Sequence, residues 1–251
     1  MKDYLSDDDK VLLQRHGLAS FDALWDVKLT AVDEPNTEHG GWSEVFRLDL
    51  EGRGFFIKRQ SNYFTRSLAH PLGEPTVARE FRTIQRYQQL AIPSLQSVFF
   101  GERRVAGEHR AILVTRALNG WSPLENFLPD WQERSVAQQR AMVSACARLV
   151  GKLHAAGLRH GCLYPKHLFL REESGQWQAC LIDLEKTRRL WFGWRDQVRD
   201  LETFLRKVHE WDPSLQDAFL SEYLQVSQTD GSMVLWQRRV GQRRAYKEQR
   251  H

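Results

Sequence analysis

A lysine and a glutamate suggest an ion pair in the first half of the chain. Lys58 interrupts an apolar segment whose pattern predicts a β-strand, and a lysine that points inward there needs an anionic partner. Glu80 lies on the next segment, where apolar residues three or four apart predict a helix that packs on the strands. Glu74 is a competing partner, and a lysine that faces solvent is the alternative.

Two glycines precede the first strand of this region. Gly40 and Gly41 have no side chains, so the backbone N–H groups beside them can approach a phosphate closely. Ser43 follows them and belongs to the same candidate loop. An ordinary turn is the alternative, and it is the more frequent use of paired glycines.

A second polar group lies in the other half of the chain. Cys162 and His167 belong to a loop bounded by apolar runs, and loops of this kind often carry functional residues. Asp183 ends a short apolar strand, where its carboxylate can hold a hard cation such as Mg²⁺ or, alternatively, cap a helix. Cys162 is either a thiol activated by the nearby His160 or a buried, inert thiol.

The hydrophobic pattern predicts an α+β protein. Alternating or continuous apolar segments predict strands at 45–50, 54–60, 97–101, 110–116, 168–170 and 180–182. Apolar spacings of three and four, with capping residues, predict helices at 6–17, 20–26, 75–91, 135–156 and 194–211. The first half is therefore a small antiparallel sheet with one packed helix, and the second half is mainly helical. A hinge is expected at 117–123.

Composition limits the class of protein. The 251 residues are 41% hydrophobic and 27% charged, which is enough for a core in one large domain or two lobes. Three cysteines are too few for a disulfide framework and lack the paired spacing of a zinc site. Without a signal-peptide pattern or an apolar run of about 18 residues, a soluble, cytoplasmic protein is expected. The net charge of +4 favours an anionic partner but does not identify it.

The order of these features matches the plan of the protein kinase fold. In detail, the sequence resembles the bacterial lipopolysaccharide core kinases, the Kdo and heptose kinase family with its InaA-like branch, over residues 36–210. The resemblance implies a bilobal, protein-kinase-like α+β fold. Its N-lobe, at 1–117, has a small antiparallel sheet, one helix and an N-terminal helical extension. Its mainly helical C-lobe, at 118–251, ends in a basic tail.

The resemblance also implies a nucleotide site that uses ATP and Mg²⁺. Gly40, Gly41 and Ser43 match the loop that covers the nucleotide. Lys58 matches the lysine that binds its phosphates, and Glu80 matches the ion-pair partner of that lysine.

The second set of matches concerns metal binding and proton transfer. Asp183 matches the metal-binding aspartate, and the resemblance implies that His167 positions the metal together with it. His167 stands where general protein kinases carry asparagine, and the lipopolysaccharide kinases share this histidine. Cys162 stands where the family has its catalytic aspartate. A thiol with an ordinary pKa of about 8.5 accepts the proton of a sugar hydroxyl poorly.

Two functions follow from the resemblance. The first is an ATP-dependent kinase that phosphorylates a sugar hydroxyl of the lipopolysaccharide inner core, with the proton passing to a substrate phosphate or to Glu185 or Asp200. The second is a nucleotide-binding pseudokinase that regulates or scaffolds envelope or stress-response proteins. A small-molecule phosphotransferase of the antibiotic or choline kinase kind shares the fold plan, but His167 argues against it.

The resemblance makes a lipopolysaccharide core sugar the expected partner. Peripheral contact with the inner face of the inner membrane is also expected, nucleic acid is not, and the oligomeric state stays open. The aromatic residues Trp191, Phe192 and Trp194 can serve membrane contact or internal packing. The basic residues near the C-terminus can bind anionic groups or form a solvated tail. They are Arg238, Arg239, Arg243, Arg244, Lys247 and Arg250.

Overall fold

The structure is a computed structural model that describes residues 3–37, 40–66 and 70–249. The chain divides into two compact units. The N-terminal unit comprises Met1–Gln89 and Leu95–Asn119. The C-terminal unit comprises Leu90–Ser94 and Gly120–His251.

The described residues of the N-terminal unit form seven strands. They are β1 (Tyr4–Leu5), β2 (Trp42–Leu50), β3 (Arg53–Ser61), β4 (Phe64–Thr65), β5 (Glu74–Pro75), β6 (Ser97–Val105) and β7 (Glu108–Arg116). Five of them form an antiparallel sheet in the order β1-β6-β7-β3-β2, and β4 pairs with β5. The hairpin between β2 and β3 turns at Glu51 and Gly52, whose φ values of 48° and 79° match the right-handed twist of the strands.

Three helices accompany this sheet: α1 (Asp7–Arg15), α2 (Phe21–Asp26) and α3 (Thr76–Gln89). Helix α3 packs on β6 and β7 with its apolar face, and Ile84 and Tyr87 on that face are fully buried. This packing fixes the side of α3 that carries Glu80 against the sheet that carries Lys58.

In the C-terminal unit, the residues up to 249 form four α-helices and five short strands. The helices are α4 (Val136–Ala155), α5 (Trp194–Leu205), α6 (Pro213–Leu224) and α7 (Gly231–Glu248). The strands are β8 (Ser122–Pro123), β9 (Leu158–Arg159), β10 (Leu168–Glu173), β11 (Gln176–Leu181) and β12 (Arg188–Arg189). Strands β11, β10 and β8 form one antiparallel sheet, and β12 pairs with β9.

The register of one hairpin positions the polar loops of this unit. Leu168, the first residue of β10, lies opposite Leu181, the last residue of β11. The segment that enters β10 and the segment that leaves β11 therefore meet at the same end of the sheet. The backbone N–H of Ile182 donates to the carbonyl of His167 at 3.0 Å and closes this junction.

The C-terminal part of the chain differs from the sequence expectations. Helix α5 ends at Leu205 instead of continuing to residue 211, and α6 and α7 were not predicted. The basic residues near the C-terminus, up to residue 249, belong to α7 and do not form an extended segment. Lys247 forms an ion pair with the buried Glu202 of α5, and the guanidinium of Arg239 lies 4.1 Å from the ring centre of Trp194. Arg250 lies outside the described residues.

The aromatic segment before α5 is exposed. Trp191 and Phe192 are 76% and 63% accessible to solvent, so internal packing is not their role. Among the residues that the structure describes, each helix is too short or too polar to cross a lipid bilayer.

Candidate functional site

An ion pair joins the sheet and the helix of the N-terminal unit. Nζ of Lys58 on β3 lies 3.1 Å from Oε2 of Glu80 on α3. Glu80 is buried, whereas the lysine side chain keeps 27% of its surface exposed. Glu74, the competing partner, forms an ion pair with Arg82 and a 3.5 Å contact with His70. The pairing therefore leaves a cation of fixed position at an accessible place in this unit.

A glutamine missed by sequence reasoning holds the surroundings of this pair together. The amide nitrogen of Gln60 donates to the hydroxyls of Ser43 and Thr76 at 3.0 and 2.6 Å, and its amide oxygen accepts from the backbone N–H of Val77 at 3.2 Å. Gln60 is buried two residues after Lys58 on β3, so a polar residue in a buried strand position was the available signal. The hydroxyl of Ser43 therefore has a structural role, because it accepts a hydrogen bond from Gln60.

Gly40 and Gly41 are required for different reasons, the first for its backbone torsion and the second for lack of space for a side chain. Gly40 has a φ of 78°, which residues with a Cβ rarely adopt. Gly41 has no such torsion, but a Cβ there would overlap the backbone carbonyl of Ser61. Close approach of two strand ends thus explains Gly41 without a ligand, and the torsion of Gly40 is compatible with a turn that presents backbone N–H groups.

The polar residues of the C-terminal unit form a compact cluster. Sγ of Cys162 lies 3.4 Å from Nδ1 of His160 and 3.4 Å from Oδ2 of Asp183. Nε2 of His167 lies 3.3 Å from the same carboxylate oxygen. The structure therefore brings His160, Cys162, His167 and Asp183 together.

Asp183 adopts a strained backbone conformation. Its φ and ψ of 56° and 59° lie in the left-handed region, which costs about 1–3 kcal/mol for a residue with a Cβ. Residues in this region cluster at active sites, and they also occur in turns, as Glu51 does in the β2–β3 hairpin. In the described part of the chain its carboxylate contacts Cys162 and His167 and does not cap the following 3₁₀ turn, Leu184–Lys186. The capping role considered for Asp183 is thus wrong. Glu185 lies within that turn.

A buried carboxylate supports the loop from beneath. Asp200 on α5 accepts hydrogen bonds from the backbone N–H groups of His160 and Gly161 at 2.5 and 3.0 Å. His154 lies 3.4 Å from the same carboxylate and contacts the hydroxyl of Tyr223 at 2.8 Å. Because its oxygens are engaged by this network, Asp200 positions the loop and is not free to receive a substrate proton.

Burial controls the ionisation of these groups. Burial, reinforced by the Asp183 carboxylate, raises the pKa of the Cys162 thiol far above its usual range, so it stays protonated at neutral pH. Burial also lowers the pKa of His160. Burial alone would raise the pKa of Asp200, but the hydrogen bond and charge of His154 hold it below its ordinary value. An activated Cys162 thiolate is therefore not favoured in the protein alone.

The donor atoms of the cluster fit Mg²⁺ only in part. Mg²⁺ prefers oxygen ligands and usually takes one or two carboxylates together with waters and nucleotide phosphates. Asp183 supplies such a carboxylate, and its side chain is partly exposed. His167 and Cys162 offer nitrogen and sulfur, which suit transition metals better.

The chain is similar in sequence to known lipopolysaccharide kinases and to Protein InaA. A sequence profile described as "Lipopolysaccharide kinase (Kdo/WaaP) family" matches residues 22–223. Protein InaA of Escherichia coli K12 is 30% identical over 176 residues, which cover 67% of this chain and 79% of InaA. Lipopolysaccharide core heptose(I) kinase WaaP of Pseudomonas aeruginosa is 29% identical, over 57% of this chain and 58% of that protein. The chain thus spans less than two thirds of that kinase.

A solved structure shares the fold. The chain described as "WaaP in complex with acyl carrier protein" matches with a TM-score of 0.70 at 24% sequence identity, over 96% of this chain and 99% of that chain. The match confirms the kinase-like α+β fold. Acyl carrier protein is a partner of that WaaP and was not among the partners expected from the sequence. Because the family profile covers most of the chain, this protein belongs to the lipopolysaccharide kinase (Kdo/WaaP) family.

Proposed function

We propose that this protein is an ATP- and Mg²⁺-dependent kinase that phosphorylates a sugar hydroxyl of the lipopolysaccharide inner core. The observation that carries the proposal is the ion pair between Lys58 and the buried Glu80. A buried carboxylate is costly to desolvate and contributes little net stability when paired. Its value lies in holding the lysine ammonium in one place, where a nucleotide phosphate would find a positioned positive charge.

Each residue has a different role in phosphoryl transfer. Lys58 binds and orients the phosphates, and Glu80 keeps its ammonium in place. Asp183 holds Mg²⁺, which when bound neutralises the charge on the transferring phosphoryl group. Asp200 fixes the loop that carries Cys162 through the backbone of His160 and Gly161.

Cys162 limits the rate in this scheme. A protonated thiol cannot take the proton of the sugar hydroxyl, and loss of a general base typically costs about 10²- to 10⁴-fold in rate. Positioning and charge neutralisation supply most of the remaining catalysis in a loose phosphoryl-transfer transition state. A slow kinase is therefore expected, with the proton leaving late to a substrate phosphate.

A nucleotide-binding pseudokinase is the second candidate function, and Cys162 is the observation that favours it. The buried thiol replaces the family's aspartate while Lys58, Glu80 and Asp183 are retained. Such a protein would bind ATP without transferring its phosphoryl group, and it would act on envelope or stress-response proteins through its surface.

We further propose that the protein works at the cytoplasmic face of the inner membrane. Support comes from the exposed Trp191 and Phe192 and from the neighbouring exposed Arg188 and Arg189, a combination suited to the interface of an anionic bilayer. All three cysteines are free thiols, in keeping with a reducing compartment.

Calorimetry and single-turnover kinetics on the same samples test the proposal. We expect Mg²⁺-dependent ATP binding by the natural protein, loss of at least about tenfold in affinity in Lys58→Ala, and an unchanged affinity in Lys10→Ala. Lys10 is an exposed lysine on α1 and is the matched control. Acceptor-dependent ATP consumption with lipopolysaccharide core would establish the kinase.

Other outcomes have distinct meanings. ATP binding without consumption in the presence of any core acceptor would replace the kinase by the pseudokinase. If the folded natural protein does not bind ATP, both functions are overturned.

A further inference from the structure

The cluster around Cys162 contains nitrogen and sulfur donor atoms, whereas Mg²⁺ prefers oxygen ligands. His160, Cys162 and His167 present ligand atoms that lie within 4.8 Å of one another, and the first two residues are buried. Asp183 adds a carboxylate oxygen 3.4 Å from the sulfur. Two imidazoles, a thiol and a carboxylate are the ligand types that Zn²⁺ takes in proteins.

The hydrogen bonds of both imidazoles turn their lone pairs toward this cluster. Nε2 of His160 lies 2.9 Å from the carbonyl oxygen of Ile182, which can only accept, so this nitrogen carries the proton. In the neutral ring Nδ1 then has a free lone pair, and it faces the sulfur of Cys162 at 3.4 Å. Metal-binding histidines are typically oriented by a second-nitrogen bond to a backbone carbonyl in this way.

His167 is oriented by the same device. Its Nδ1 lies 2.8 Å from the carbonyl oxygen of Cys162 and must donate to it. When the ring carries only this proton, Nε2 presents a lone pair to Oδ2 of Asp183, 3.3 Å away. Two acceptors at this distance need a proton or a cation between them, and a metal ion bound by both would meet that need.

The spacing of the donor atoms is close to that of a tetrahedral site. With Zn–N bonds of about 2.0–2.1 Å, Zn–O bonds of about 2.0–2.2 Å and a Zn–S bond of about 2.3 Å, neighbouring ligands of a tetrahedral zinc ion lie about 3.3–3.7 Å apart. Three edges of the cluster already have such lengths: Cys162 to His160, Cys162 to Asp183, and His167 to Asp183, at 3.4, 3.4 and 3.3 Å. The ligand atoms of His160, Cys162 and His167 also lie within 4.8 Å of one another.

We propose that His160, Cys162, His167 and Asp183 form a binding site for a zinc ion. Binding forms the bond between zinc and the Cys162 sulfur, and the thiol proton leaves to solvent. The zinc site stands independently of kinase activity. Because it uses Asp183, a bound zinc ion would exclude Mg²⁺ from the carboxylate that the proposed function assigns to it.

Cobalt substitution tests the site without any activity measurement. The full chain is stripped of metal with a chelator and titrated with Co²⁺, whose bonds to thiolate give a near-ultraviolet charge-transfer band. We expect one equivalent of Co²⁺ to saturate this band and one equivalent of Zn²⁺ to abolish it. Cys162→Ser should lose the band, while Cys180→Ser should retain it, because Cys180 is a buried free thiol on β11 outside the cluster.

A second variant tests the site if Cys162→Ser does not fold. His167→Asn removes one ligand while leaving Cys162 in place, and we expect it to weaken Zn²⁺ binding by at least about tenfold to 100-fold in a competition with a chromogenic chelator. Circular dichroism shows whether each variant is folded. A natural protein that gives no thiolate band, or a band that persists in folded Cys162→Ser, would overturn the zinc site whether or not the protein binds ATP.

Discussion

Oδ2 of Asp200 lies 2.5 Å from the backbone nitrogen of His160, and this contact ties helix α5 to the loop of the cluster. The same carboxylate accepts from Gly161 through its other oxygen. Gly161 has a φ of 85°, and a Cβ there would meet the carbonyl of Lys186 at 2.6 Å. Asp200 thus sets the start of a loop whose backbone has little freedom to relax.

Removing the charge of Asp200 should destabilise the C-terminal unit. In Asp200→Asn an amide nitrogen faces a backbone donor, and a buried donor without an acceptor costs about 1–3 kcal/mol. We expect a loss of this size in the free energy of unfolding, measured by urea denaturation. Asp130→Asn, at an exposed position of the same unit, should leave the urea midpoint unchanged. Equal effects of the two substitutions would contradict the positioning role.

Stability should also respond to acid through Asp200. The pKa of this carboxyl is lower in the folded protein than its ordinary value of 3.8. The folded state therefore binds fewer protons there than the unfolded state, and the stabilisation is complete above pH 3.8 and lost as pH falls below it. We expect the free energy of unfolding to fall with pH below about 4, with a smaller slope in Asp200→Asn than in the natural protein.

Restoring a carboxylate at the loop should change the rate of transfer. Cys162→Asp supplies the proton acceptor that the thiol lacks, and we expect single-turnover phosphoryl transfer to core acceptor to rise by about 10²- to 10⁴-fold. Cys162→Ser is the matched control and should show no such gain. If transfer stays undetectable in a folded Cys162→Asp that binds ATP, proton acceptance is not what limits the reaction.

The thiols should be unreactive in the folded protein. Burial raises the pKa of Cys180 to about 12 and that of Cys162 above its usual range. Because only the thiolate reacts, iodoacetamide at pH 8 in the presence of chelator should leave the native protein unlabelled and modify all three cysteines after unfolding. Mass spectrometry counts the labels. Rapid native labelling of Cys162 alone would instead identify it as a reactive thiol.

The exposed aromatic segment should govern membrane binding. Each large apolar side chain that is buried in a bilayer interface strengthens the free energy of membrane binding by up to about 1.5–3 kcal/mol. We expect Trp191→Ala combined with Phe192→Ala to lower co-sedimentation with phosphatidylglycerol vesicles by about tenfold or more. Val234→Ala, at an exposed apolar position on α7, is the control and should bind as the natural protein does. Equal binding of all three proteins would exclude this segment as the contact.

Local sequence determined most of the N-terminal unit. The strands and helices there have strong periodic patterns, and the turn at Glu51-Gly52 is recognisable from its glycine. The polar residues that carry the family resemblance were also visible, because a lysine in an apolar strand and a histidine in a short loop contrast with their neighbours. Helix α7 was missed for the opposite reason. Its only buried apolar side chains are Met233 and Val240 among the described residues, so its periodicity is weak.

Tertiary structure decided which of these residues act together. Glu74 and Glu80 were both plausible partners of Lys58, and the packing of α3 chose Glu80 while Arg82 engaged Glu74. Cysteine spacing gave no sign of the proposed zinc site, because that site uses one cysteine and its carboxylate, Asp183, comes from beyond the next hairpin. The pairing of β10 with β11 brings them together. Spacing along the chain reports local geometry, whereas convergence of these donor atoms depends on strand register and, for His160, on the carbonyl group of Ile182, 22 residues away.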